Sequence, residues 1–288
     1  MTASHPADGS PDEARGFHDS TAHLMDRIGG GLAGRLRLVS PLRGGHRPAP
    51  PALVLVAHGS RDPRALSTVR DLMDRVRDVR PGLPVHLGHI ELNEPLLPDT
   101  LAGLGDTSAV LVPLLLGRGY HVKHDIPEMA AAAPARTRVA APLGPHPLLA
   151  ETLYERLAEA GWDPEMSPAA RRTSAVILAA AGSRDPDSAT DTRRTARLLA
   201  DRLGVPVVPA YASAASPTVP MALRALAARG RRRVAIASYF TAPGRFATQC
   251  AEQAPWIASA PLGAHPALAR LIIHRYDACL APLWTEAA

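Results

Sequence analysis

Two histidines stand where short apolar runs end. His58 opens the turn in Ala57-His58-Gly59-Ser60-Arg61-Asp62-Pro63, and His121 lies in Gly117-Arg118-Gly119-Tyr120-His121-Val122-Lys123-His124-Asp125-Ile126-Pro127. Each frame recurs later in the chain without its imidazole. Ala180-Ala181-Gly182-Ser183-Arg184-Asp185-Pro186 sets Ala181 opposite His58, and Thr241-Ala242-Pro243-Gly244-Arg245-Phe246 sets Phe246 opposite His121. A lone histidine at a strand end is as often a hydrogen-bonded loop residue as a working group. The second copy separates the two readings, because a frame that stands with Ala and Phe does not need histidine for packing. The two imidazoles therefore read as a functional pair confined to one copy.

The elements that must position them follow a βαβ rhythm. Leu53 to Ala57, Val85 to Ile90, Ala109 to Leu116 and Thr137 to Ala141 read as strands, separated by helices over about Arg64 to Val79, Pro95 to Leu104, Asp125 to Ala133 and Pro147 to Ala160. The same order then repeats, with Ala141-Pro142-Leu143-Gly144-Pro145-His146-Pro147 matched by Ala260-Pro261-Leu262-Gly263-Ala264-His265-Pro266. His146 and His265 occur in both copies and read as structural. The expected fold is α/β: two duplicated, flavodoxin-like parallel-sheet domains facing a central cleft, with the Gly-Ser-Arg-Asp-Pro turns at the carboxyl edge where open α/β sheets bind ligands. The expected division is an extension over 1–50, a first domain over 51–161, a linker over 162–173 rich in proline and charge, and a degenerate repeat over 174–282. The extension is rich in Gly, Pro, Ser, Asp and His without periodicity and reads as disordered, its histidines as solvated tail residues.

Composition excludes several classes. The 288 residues are 46% apolar and 20% charged, enough for a substantial core. No run approaches the roughly 18 apolar residues of a spanning helix and no signal-peptide core is present, so a cytoplasmic protein without membrane contact is expected. The net charge of +5 comes with only three Phe, and the arginines are scattered, which speaks against nucleic acid. The densest cluster, Arg229 and Arg231 to Arg233, falls where a helix should end and a strand begin. Cys250 and Cys279 have neither metal-binding nor disulfide spacing. Lys123 is the single lysine in an arginine-biased chain.

Ala57-His58-Gly59-Ser60-Arg61-Asp62 and Gly119-Tyr120-His121-Val122-Lys123-His124-Asp125-Ile126-Pro127 resemble the two signature motifs of the sirohydrochlorin cobalt- and ferrochelatases, over about residues 52–280 and in the long, two-domain arrangement of that family. The resemblance implies a metal site of two histidines and one glutamate on an inter-lobe cleft. The histidines carry over as His58 and His121. The glutamate maps to Glu91, directly after a strand; Glu94 is the rival, and Glu91 is preferred because Glu94 immediately precedes Pro95 and can serve the next helix N-terminus instead.

It also implies the substrates: a divalent metal, Co²⁺, Fe²⁺ or Ni²⁺, and a polycarboxylate tetrapyrrole, with no ATP or nucleotide. Imidazole and carboxylate suit such borderline ions, and an open ligand set leaves room for pyrrole nitrogens. Either histidine can also take a pyrrole proton. Ser60, Arg61 and Lys123 of the first lobe and Ser183 and Arg184 of the second are the candidate contacts to substrate carboxylates. His124 reads as exposed. Fusion of both lobes in one chain is compatible with a monomer. Two other readings use the same residues: a metal or tetrapyrrole carrier, and a histidine-type phosphatase, the latter disfavoured because Ala57 stands where that class expects arginine.

Overall fold

The computed structural model describes residues 50–281; the extension expected over 1–50 falls, but for Pro50, outside the described residues. From Pro50 onward both halves belong to one compact unit. The first half runs β1 (Ala52–Ala57), α1 (Pro63–Val79), β2 (Val85–His89), α2 (Leu97–Gly103), β3 (Ala109–Pro113), a π-helical turn (His121–Asp125), α3 (Ile126–Ala132), β4 (Thr137–Val139) and α4 (Pro147–Glu159). After α5 (Pro168–Thr173), the second half runs β5 (Ser174–Ala180), α6 (Pro186–Leu203), β6 (Val207–Tyr211), α7 (Val219–Ala228), β7 (Arg233–Tyr239), α8 (Arg245–Ala251) and α9 (Pro266–Leu280).

Both sheets are parallel, in the orders β2-β1-β3-β4 and β6-β5-β7. A bridge from Ile236 to Ala258 stands where the second sheet would hold its fourth strand. Central strands covered on both faces must be apolar throughout, and β1 and β5 are buried at every residue. The helices bury one stripe each, as α1 does with Ala65, Val69, Leu72 and Val76. One core joins the lobes, running from Leu53, Leu55 and Leu153 through Val176, Leu178 and Ile272.

Several element ends differ from the sequence expectation. The third strand closes at Pro113 rather than Leu116, with the Leu114 amide making a last bond to the Val56 carbonyl at 2.8 Å. The helix expected from Asp125 is preceded by the π turn that begins at His121 itself. The segment 162–173 is packed rather than slack: Trp162 and Met166 are buried, Trp162 meets Trp256 with ring centroids 5.6 Å apart, and Arg171 donates to the carbonyls of Pro164 and Leu203.

Other sequence readings have direct structural counterparts. His146 and His265 cap α4 and α9, each accepting from the amide two residues on. Arg231 donates to the carbonyls of Arg171 and Ser174, and Arg233 lies 3.9 Å from the Trp256 ring centre, so that cluster fastens the start of β7. Among the described residues no helix is long and apolar enough to cross a membrane.

Candidate active site

The carboxyl ends of β1, β2 and β3 face those of β5 and β7 across a cavity of about 780 Å³. His58 follows β1 directly. Gly59, at φ +104°, turns the chain away, and a Cβ there would lie 1.9 Å from the carbonyl oxygen of Glu91, so only glycine fits. That close approach seats Glu91 beside His58: the Glu91 amide donates to the His58 carbonyl at 3.1 Å, and Oε1 lies 3.4 Å from His58 Nδ1. His121 enters from the π turn after β3. Its ring meets that of His58 edge to face, with centroids 4.8 Å apart.

Asp125, one turn beyond His121, places Oδ2 2.5 Å from His121 Nδ1. A carboxylate on one ring nitrogen fixes the tautomer and leaves Nε2 with its lone pair for a ligand. The motif contained Asp125, but sequence reasoning gave it no role. The contact follows from the helical turn that begins at His121, because residues four apart share one helix face.

Among the described residues no three His, Cys, Asp or Glu side chains form a ready metal cage. His58 is instead the shared member of two pairs, with Glu91 and with His121. Glu91 stands at the rim, half exposed and outside the cavity lining. Glu94 turns elsewhere, its carboxylate accepting the Leu96 amide at 3.2 Å just before α2.

The anticipated carboxylate-binding residues divide. Ser60, Arg61 and Ser183 line the cavity, the two serines also accepting the amides of Asp62 and Asp185. Lys123 does not stand free for substrate. Its ammonium bonds Asp185 at 2.7 Å and Asp187 at 2.9 Å in the second lobe. These carboxylates raise the Lys123 pKa, and Lys123 in turn lowers that of Asp185. Arg184 is exposed and outside the lining. His124 is exposed as expected, its ring 4.7 Å from that of Tyr120.

A second strap lies before His121, where Arg118 is held by Asp191 at the start of the second lobe's helix α6. Burial works to raise the Asp191 pKa, but the bonds from Arg118 outweigh it and hold the carboxyl below the usual range. Opposite the imidazoles the second lobe presents Ala181, Ser213, Phe240 and Phe246. One wall therefore carries both imidazoles and the other is largely apolar.

A doubly repeated parallel α/β fold with a one-sided histidine cleft has known relatives. The CbiX family model matches residues 52–160 and again residues 175–279, and the chain belongs to that family. It is 30% identical over 176 residues to a sirohydrochlorin ferrochelatase of Bacillus subtilis, covering 58% of this chain and 64% of that protein. A sirohydrochlorin cobaltochelatase of Methanopyrus kandleri is 31% identical over 137 residues, 38% of this chain but 96% of its own. One of Priestia megaterium is 28% identical over 205 residues, 67% of this chain and 65% of its own. In fold, SirB from Bacillus subtilis with Fe³⁺ superimposes with a TM-score of 0.65 at 24% identity, covering 80% of this chain and 95% of that one.

Proposed function

We propose that this chain is a sirohydrochlorin chelatase, inserting Fe²⁺ or Co²⁺ into the metal-free macrocycle in the cytoplasm as a monomer. The observation that carries the reading is the His58–His121 pair on one wall of the cleft, in a chain whose relatives bear the names sirohydrochlorin ferrochelatase and cobaltochelatase. In this reading 51–161 supplies the reacting groups, 174–282 the opposing wall, and 162–173 the packed connection.

The metal is a substrate, so the site must hold it and then let go. Two imidazoles and a rim carboxylate suit this, because they bind borderline first-row ions without the grip of a thiolate cage. His58, His121 and Glu91 would hold the ion, with Asp125 orienting His121. Insertion forms metal–nitrogen bonds, and the macrocycle releases two pyrrole protons. An imidazole freed as the metal leaves is placed to take one, and the other passes to the second freed imidazole or to solvent. Ser60, Arg61 and Ser183 meet the peripheral carboxylates. The same ligands accept either ion, so the metal preference is a matter for kinetics.

Incubation of the protein with sirohydrochlorin and Co²⁺ or Fe²⁺, followed by absorption, tests the proposal. Insertion faster than the metal's spontaneous rate is expected. No acceleration, with tight binding of either substrate, would instead make the chain a carrier, and phosphate release from a phosphomonoester would point to hydrolysis.

A further inference from the structure

Among the described residues, four large apolar side chains are exposed: Val79, Leu92, Tyr120 and Met221. Two of these line the cavity, and each adjoins a residue of the metal wall, Leu92 following Glu91 and Tyr120 preceding His121. Leu92 is 52% exposed and Tyr120 64%, and neither packs into a hydrophobic cluster.

Leu92 also sits in a conformation that its residue type resists. Its φ is +68°, the left-handed region where a Cβ crowds the backbone. The position belongs to the frame itself, because Ala214, its counterpart beside Ser213, has φ +57°. Glycine or asparagine would relieve the crowding. Leucine there opposes local preference without being repaid by burial in the core, and such conflicts concentrate where a residue meets a ligand. Tyr120 has a similar standing: its counterpart is Arg245, so an aromatic ring is no requirement of the fold.

We propose that Leu92 and Tyr120 form an apolar lip that contacts the conjugated face of the tetrapyrrole and centres it over the His58–His121 pair. A flat macrocycle is apolar on its faces and charged at its edge, so a site needs apolar contact near the metal and polar contact further out. The lip flanks the metal wall, whereas Ser60, Arg61 and Ser183 supply the polar groups. The inference rests on the chelatase reading and assigns specificity to residues outside its metal ligands.

Leu92→Gly and Tyr120→Ala test it, with three measurements on the full chain: affinity for metal-free sirohydrochlorin by fluorescence, affinity for Co²⁺ alone, and the thermal midpoint. Each variant is expected to bind the tetrapyrrole about tenfold more weakly, the loss that one apolar contact of this size represents. Co²⁺ affinity should not move. Leu92→Gly should also melt higher, since it relieves the backbone, which a residue with a purely structural role would not do. Unchanged tetrapyrrole affinity in both variants, with a wild type that binds it, overturns the lip and leaves the chelatase reading intact. A wild type that binds no sirohydrochlorin overturns both.

Discussion

Asp191, on helix α6 of the second lobe and only 1% exposed, receives three hydrogen bonds from Arg118 of the first: from its backbone N–H at 3.0 Å, Nε at 3.0 Å and Nη2 at 2.8 Å. With the Lys123 contacts to Asp185 and Asp187, this grips the His121 loop on both sides. The second lobe, though it lacks both imidazoles, therefore fixes where one of them points. Asp191→Ala is expected to lower the urea midpoint and weaken Co²⁺ binding together, because it removes three hydrogen bonds from Arg118, leaves only Asp187 at 3.8 Å and frees the loop. Unchanged metal affinity would mean that the strap serves only the fold.

These straps also set an acid dependence. Lys123 lowers the Asp185 pKa and Arg118 that of Asp191, both from an ordinary value of 3.8. A carboxyl whose folded pKa is depressed stabilises the fold above its unfolded pKa and loses that contribution as pH falls through the folded one. Stability should therefore fall on acidification below about pH 4, and Asp185→Asn with Asp191→Asn should flatten that limb. Chemical denaturation from neutral pH to about pH 3 checks the slope.

Asp125→Asn should leave the fold standing and weaken Co²⁺ binding by about 10- to 100-fold, the usual loss when the partner of a ligating histidine is removed. Isothermal titration with Co²⁺ alone measures it.

Glu91 and Glu94 should separate cleanly. Glu91→Gln is expected to weaken Co²⁺ binding, since it removes the charge beside His58. Glu94→Ala should leave metal binding alone and cost no more than about 0.5 kcal/mol of stability through the lost surface hydrogen bond just before α2. Paired metal titrations and denaturation curves distinguish them.

The duplication, the strand-end position of His58 and the structural role of His146 and His265 were legible in the sequence, because each rests on a short motif whose frame recurs in both halves, whereas His121 lies eight residues past the end of its strand. The preference for Glu91 over Glu94 also came from local signals, strand end against proline. What stayed hidden was carried by contacts between distant segments or by backbone geometry. Lys123 read as a free cation because its partners Asp185 and Asp187 lie in the other lobe. Arg118 went unnoticed for the same reason, its acceptor being 73 residues away. Asp125 stands in the motif, but its contact with His121 requires the helical turn to begin at His121, four residues before the expected helix start. The positive φ of Leu92 likewise has no sequence signature, since the usual glycine is absent.

We propose that one histidine wall performs metal insertion. This is tested most directly by the rate at which sirohydrochlorin takes up Co²⁺, followed by absorption, with wild type, His58→Ala and His121→Ala. The wild type should exceed the spontaneous rate, and each variant should fall by about two orders of magnitude at an unchanged thermal midpoint, as expected for removal of a ligand rather than a packing group. A rate near that of the wild type in either variant would contradict the account.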